Sequence, residues 1–275
     1  MDKNIDNKKY EKTIKKLKRT ERAIYNVTLL ATAIIMIMIF PLKISSPTGE
    51  AVIDFPGISP VIAFLLIVLC YAIEVTVYSK LITRSIWVPL ADECDPEKCI
   101  ALTLAVAKPR ELVIFCTSAY IFFGDYKEAL KYAEDAVTDR SPRYSLLARY
   151  YKAYAEFLLG DTDAFKNTVS EFSSELNNNP KLKPKLIENH RRTECVLNLL
   201  SAIADNDKEK INELINTITF EGDAKVSNVL IKYAKALAFC SLEDADNARS
   251  EFEWIKENAP KTVFATIADE KLKKI

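Results

Sequence analysis

Two uninterrupted apolar runs dominate the first third of the chain, residues 23–40 (AIYNVTLLATAIIMIMIF) and 61–78 (VIAFLLIVLCYAIEVTVY). Each has 18 residues and neither contains Lys or Arg. A helix of that length rises roughly 27 Å, close to the ~30 Å hydrocarbon core of a bilayer. From residue 86 onward the pattern changes. Apolar residues recur at three- and four-residue spacing, broken by turn signals such as Asp95-Pro96, Gly124, Ser141-Pro142, Gly160, Asn177–Pro180, Asn206-Asp207 and Gly222-Asp223. Asp or Ser before Pro reads as an N-cap with proline in the first turn, and Gly after an apolar stretch reads as a helix end. The pattern predicts helices over 96–107, 110–123, 125–138, 142–159, 162–176, 184–204, 207–219, 223–241, 244–258 and 261–273, with no strands among them. Their short links predict consecutive antiparallel packing.

Charge gives the two runs a direction. Residues 1–22 carry nine Lys/Arg and four Asp/Glu, whereas the link 41–60 holds one Lys and no Arg; Lys80 and Arg84 follow the second run. Basic residues gather on the cytosolic side of spans. The expectation is a two-helix hairpin occupying 23–82, with both termini cytosolic, the 41–60 loop outside, and an integral membrane location at the cell membrane. The first run is longer than the 7–15-residue core of a signal peptide, and no A-x-A-like cleavage site follows it. The basic arm 1–22 extends this reading toward anionic lipid headgroups. Within it Tyr10, Ile14, Leu17 and Glu21 fall on one partly apolar helical stripe. Glu74 is the one ionisable side chain inside a run. Either it reaches the interface, or it makes a polar contact between helices, with Thr28 or Thr32 or across a dimer.

The stretch AYIFFGDYKEALKYAEDAVTDRSP (119–142) resembles a tetratricopeptide repeat. Tyr120 lies on its first helix and Gly124-Asp125-Tyr126 forms the turn. Ala129 and Ala136 stand seven apart on the second helix, and Pro142 closes the unit one residue late. In CSLEDADNARSEFEWIKENAP, Ala248, Phe252 and Pro260 keep the family spacing while the glycine is missing and Ile255 replaces the second alanine. The resemblance covers about 110–260 and thins in the units between. It implies a right-handed superhelix with a concave groove that takes a peptide or helix of a protein partner. Together with the apolar runs and the helical spacing, the expectation is an all-α fold, a two-helix transmembrane hairpin followed by a tetratricopeptide-like α-solenoid over 83–275. Helix 96–107 reads as an added packing helix and 261–273 as a terminal cap.

Composition narrows the chemistry. Only 5 Gly occur, all isolated, so no Gly-rich phosphate loop is possible. Residues 85–275 carry 26 Lys/Arg against 31 Asp/Glu, which disfavours nucleic acid as a ligand. Six cysteines are scattered. Cys94 and Cys99 form C-x4-C, but a tetrahedral metal site needs four ligands and the only histidine, His190, is far away in sequence. His190 stands in a polar stretch, LIENHRRTEC, and reads as exposed or capping. No G-x-S-x-G, H-E-x-x-H or kinase signature occurs, so neither an enzyme nor a cofactor is expected.

The helix SPRYSLLARYYKAYAEFLL concentrates Tyr144, Tyr150, Tyr151 and Tyr154 with Arg143, Arg149 and Lys152. Four tyrosines in eleven residues point in several helix directions, so packing accounts for about two of them. Tyr and Arg are favoured interface anchors. The candidate partner-binding residues are therefore Arg149, Tyr150, Lys152 and Tyr154, extended by Arg191 and Arg192 on the next hairpin. The expected function is a membrane-anchored scaffold that holds protein partners at the bilayer. The alternative is an accessory structural subunit of a larger membrane complex.

Overall fold

Thirteen α-helices and one two-stranded ribbon make up the described part of the chain. The computed structural model describes residues 5, 8–45, 51–55, 57–106, 109–137, 141–222 and 224–275. By its contacts the chain divides into two units. One is the hairpin Glu11–Ser85. The other joins the residues up to Tyr10 with Ile86–Ile275.

In the hairpin, α1 (Glu11–Met38) packs on α2 (Pro60–Tyr78). The basic arm is thus helical from Glu11, and α1 begins twelve residues before the apolar run does. The link predicted as loop forms an antiparallel ribbon, β1 (Leu42–Ser45) and β2 (Ala51–Phe55), with Leu42 opposite Phe55 and Lys43 opposite Asp54. Gly57 lets the chain return to α1. Its φ is +81°, and a Cβ there would stand 2.6 Å from the Ile39 carbonyl oxygen. Ser59 then caps α2, accepting from the Val61 amide, and Pro60 occupies the first turn. The helix runs on through a π-helical turn (Ser79–Thr83) into α3 (Arg84–Ala91). Two helices are therefore long and apolar enough to cross a membrane.

The helices bury little. Ala63 and Ile35 are buried where they face each other's helix, while Val27, Leu30, Ile37, Phe40, Val61, Phe64 and Leu65 are each at least 60% exposed.

The second unit is an array of helices: α4 (Pro96–Val106), α5 (Pro109–Phe123), α6 (Tyr126–Val137), α7 (Pro142–Leu159), α8 (Thr162–Asn178), α9 (Pro184–Ala204), α10 (Lys208–Thr217), α11 (Lys225–Ser241), α12 (Ala245–Asn258) and α13 (Val263–Leu272). These match the predicted segments to within about two residues. Predicted ends at 107, 138 and 223 fall outside the described residues. From α4 on, each helix packs on the next, and α5, α7, α9 and α11 also pack on one another in succession. The last part of the second long helix belongs here too. Ile86 and Leu90 are fully buried, and Trp87 lies against Phe115 with ring centroids 5.7 Å apart.

One turn chemistry recurs throughout this array. Cys94, Gly124, Gly160, Asn206 and Glu243 all have positive φ, and each is followed by an aspartate. Asp95, Asp125, Asp161, Asp207 and Asp244 then accept from the backbone amide three residues on, at 3.0–3.2 Å. The left-handed residue ends one helix and the carboxylate starts the next without an intervening loop. That device keeps neighbours antiparallel, so their apolar faces meet. Phe122, Phe165, Phe172, Phe252 and Phe264 are completely buried, each contributing about 1.5–3 kcal/mol.

The array also closes on itself. Phe264 of α13 lies 5.2 Å from Phe122 of α5 and 4.9 Å from Tyr233 of α11. Lys261 pairs with Asp95 at 2.7 Å. Asp95 and Glu97 further hold the segment that precedes α1. The buried Tyr10 hydroxyl donates to Glu97 Oε2 at 2.9 Å, and Lys9 Nζ lies 2.7 Å from the same carboxylate. Burial pushes the Asp95 carboxyl up, but Lys261 and the Lys98 amide outweigh it and hold the group below its ordinary value.

Candidate binding cleft

The N-terminal halves of α7, α9 and α11 face one another, and their side chains decide what remains open between them. Tyr154 fills the deepest position. It is fully buried, and its hydroxyl donates to the Leu230 carbonyl at 2.7 Å, tying α7 to α11. Burial, with the Tyr150 phenol beside it, raises its ionisation well above the tyrosine range. Tyr150 packs edge-on against Tyr154 at 5.3 Å and tilted against Tyr151 at 5.2 Å.

Above these rings a cleft of about 180 Å³ opens, walled by Phe122, Tyr150, Tyr151 and Phe220 and floored by Leu147, Val196, Val226 and Leu230. Arg192, Asn189, Thr193, Ser227 and Glu221 supply its polar groups. The Arg192 guanidinium lies over the Phe220 ring at 5.6 Å, and among the described residues no carboxylate pairs with it. The link that carries Phe220 is seated by Asn228, whose Oδ1 accepts from the Gly222 amide at 2.6 Å. A Cβ on Gly222 would stand 2.4 Å from the Ser227 Cβ, so this turn needs glycine.

Of the residues singled out from sequence, Tyr150 and Arg192 meet in this cleft. The others sit elsewhere. Arg149 turns toward α8, with Nε 3.1 Å from Glu175 and Nη1 4.0 Å from Glu171. Lys152 lies 3.6 Å from the buried Glu156, whose carboxyl is raised by burial. Arg191 binds Glu194 at 2.8 Å and the Asn177 side chain at 2.6 Å. Tyr154 is a packing residue. Of the four tyrosines on α7, Tyr151 and Tyr154 are buried, the number that packing was expected to absorb.

Glu74 is half-buried on α2, on the face it shares with Ala63, Cys70 and Tyr78, turned toward α1. The Ile58 amide donates to the Met38 carbonyl, which sets the pairing of the two helices. Counting about 1.5 Å per residue down both, Glu74 stands level with Arg22, at the polar end of the first run.

His190 corrects its sequence reading. It is buried, not exposed or capping, with its ring edge-on to Phe172 at 6.0 Å. Burial, with a smaller push from Arg143, lowers it to about 4, so it is neutral at physiological pH. Cys94, Cys99 and Cys116 are free and buried, and burial pushes them up to about 11, 12 and 12. Such thiols pack as small apolar groups. Among the described residues no three His, Cys, Asp or Glu side chains gather where they would hold a metal ion.

The cleft therefore offers a space lined by rings and by polar groups in similar measure, with Arg192 unpaired among the described residues. Neither a family model, nor a curated protein, nor a solved structure matches the chain.

Proposed function

We propose that this chain is a membrane-anchored adaptor, in which two spans hold a tetratricopeptide-like stack of helix pairs at the cytosolic face, where it binds partner proteins. The observation that carries the reading is the opposite placement of similar side chains. Most leucines, isoleucines and phenylalanines in the apolar runs of α1 and α2 are exposed, whereas most of those in the array are buried. An unpartnered apolar sheath of that extent suits a lipid environment and is costly in water. The repeated left-handed residue–aspartate turn, and the stacking of α5, α7, α9 and α11, support a solenoid-like arrangement.

The clasp on α4 supports a hairpin topology. Lys9 and Tyr10 precede the first apolar helix, Asp95 and Glu97 follow the second, and Glu97 holds both Lys9 and Tyr10. That contact favours both ends of the hairpin on one side of the bilayer, and the basic arm favours the cytosol. Holding partners near the membrane raises their effective concentration there.

The accessory-subunit reading has one observation in its favour: α13 returns onto α5, so the array packs its last helix on one of its first. Photo-cross-linkers placed at Leu65 on the hairpin and at Asn189 on the cleft separate the two. Protein adducts from Asn189 support the adaptor. Adducts from Leu65 alone overturn it in favour of the subunit.

A further inference from the structure

We infer that the cleft beside Tyr150 receives one ring-sized side chain from an internal segment of a partner protein, and that the residue adjoining it is Asp or Glu, held by Arg192. This deepens the adaptor reading and rests on it. Size sets the occupant first. Small-molecule and cofactor sites run to about 300–1,000 Å³, whereas an apolar cavity of about 150 Å³ holds a single benzene ring. At about 180 Å³ the cleft suits one ring-sized side chain.

The walls select the kind of side chain. Tyr150, Tyr151 and Phe220 line it, and a further ring among them gains offset or edge-on contacts beyond its area burial. The rim then selects the neighbour. Arg149, Lys152 and Arg191 already have carboxylate partners within the array, whereas Arg192 lies 5.6 Å from the Phe220 ring centroid and pairs with no carboxylate among the described residues. A cation over a ring keeps its N–H groups for an incoming carboxylate.

The test uses the full chain in lipid nanodiscs and fluorescent peptides capped at both ends, so that no terminal carboxylate is present. Acetyl-Ala-Phe-Glu-Ala-amide is expected to bind about fivefold tighter than the Phe-Gln peptide, the size of an exposed ion pair. The Ala-Glu peptide is expected to show no saturable binding. Arg192→Glu, an exposed substitution, should shift the preference to Phe-Lys. Equal binding of all peptides to the wild-type chain would overturn the inference. So would a Phe-Gln peptide bound as tightly once its amide cap is replaced by a free C-terminal carboxylate, because Arg192 would then read a chain end. If cross-linking from the cleft to a partner protein is unchanged in Arg192→Glu, the chemistry assigned to the occupant fails while the adaptor reading survives. Peptide selectivity without any protein adduct sustains the cleft chemistry and removes the adaptor.

Discussion

The hairpin and the helical array are built from the same apolar residue types and solve opposite problems. In the array Phe165, Phe172 and Phe252 have no exposed surface; in the hairpin Phe40 and Phe64 are 69% and 65% exposed. The array buries its side chains because each helix finds a neighbour, delivered by a turn too short to allow any other path. The hairpin has one neighbour per helix, so only a stripe is covered, and in the adaptor proposed here the remainder meets lipid. A substitution should therefore behave oppositely in the two regions, according to what surrounds it.

The sharpest break is a cavity. Phe252→Ala is expected to cost the array about 3–5 kcal/mol in denaturant unfolding of the full chain in micelles, whereas Phe64→Ala should leave that transition within about 0.5 kcal/mol. The mirror experiment places a charge. Leu65→Arg should weaken membrane insertion by about 3 kcal/mol, read as the fraction integrated into microsomes, with the unfolding of the array unchanged.

Acid probes the interior of the array alone. His190 folds as a neutral ring lowered to about 4. The unfolded chain, near 6.5, then binds the proton that the folded chain rejects, so stability is full above pH 6.5 and falls as pH drops toward 4. The loss is about 3 kcal/mol, and His190→Phe should flatten that slope. Smaller effects belong to the turns. Asp207→Ala should cost about 1 kcal/mol through the lost cap. Glu243→Gly should stabilise by about 0.5–1 kcal/mol, because its φ of +63° strains any residue with a Cβ. Neither turn substitution should alter insertion.

Helix boundaries were legible because they are written locally. Asp95-Pro96, Ser141-Pro142 and Gly160-Asp161 state a stop or a start within two residues, and the apolar spacing between them does the rest. The full turn signature was less visible. At Cys94, Asn206 and Glu243 the left-handed position is not glycine, so composition hides what the backbone does. The ribbon after α1 went unread since four- and five-residue strands carry little pattern.

Long-range consequences were the least accessible. Nothing near Tyr10 announces that Glu97 will hold it, and nothing near Phe122 announces Phe264. His190 was misjudged because Asn189, Arg191 and Arg192 flank it, although a helix turns alternate residues to different surroundings. In the cleft, the tyrosine-rich helix pointed to Tyr150 and the basic pair to Arg192. Phe220 escaped notice because it sits in a link that only Gly222 and Asn228 shape. Arg149 carried a readable clue in Glu171 and Glu175, spaced four apart on the following helix.

The proposed topology puts both ends of the hairpin on one side of a bilayer and its link on the other. Epitope tags at the N-terminus, at the C-terminus and between β1 and β2 probe this by antibody binding to intact and permeabilised cells. The link tag is expected to be bound in intact cells and both terminal tags only after permeabilisation. Binding of the link tag and the terminal tags under the same condition, or release of the chain from membranes by alkaline carbonate, would contradict it.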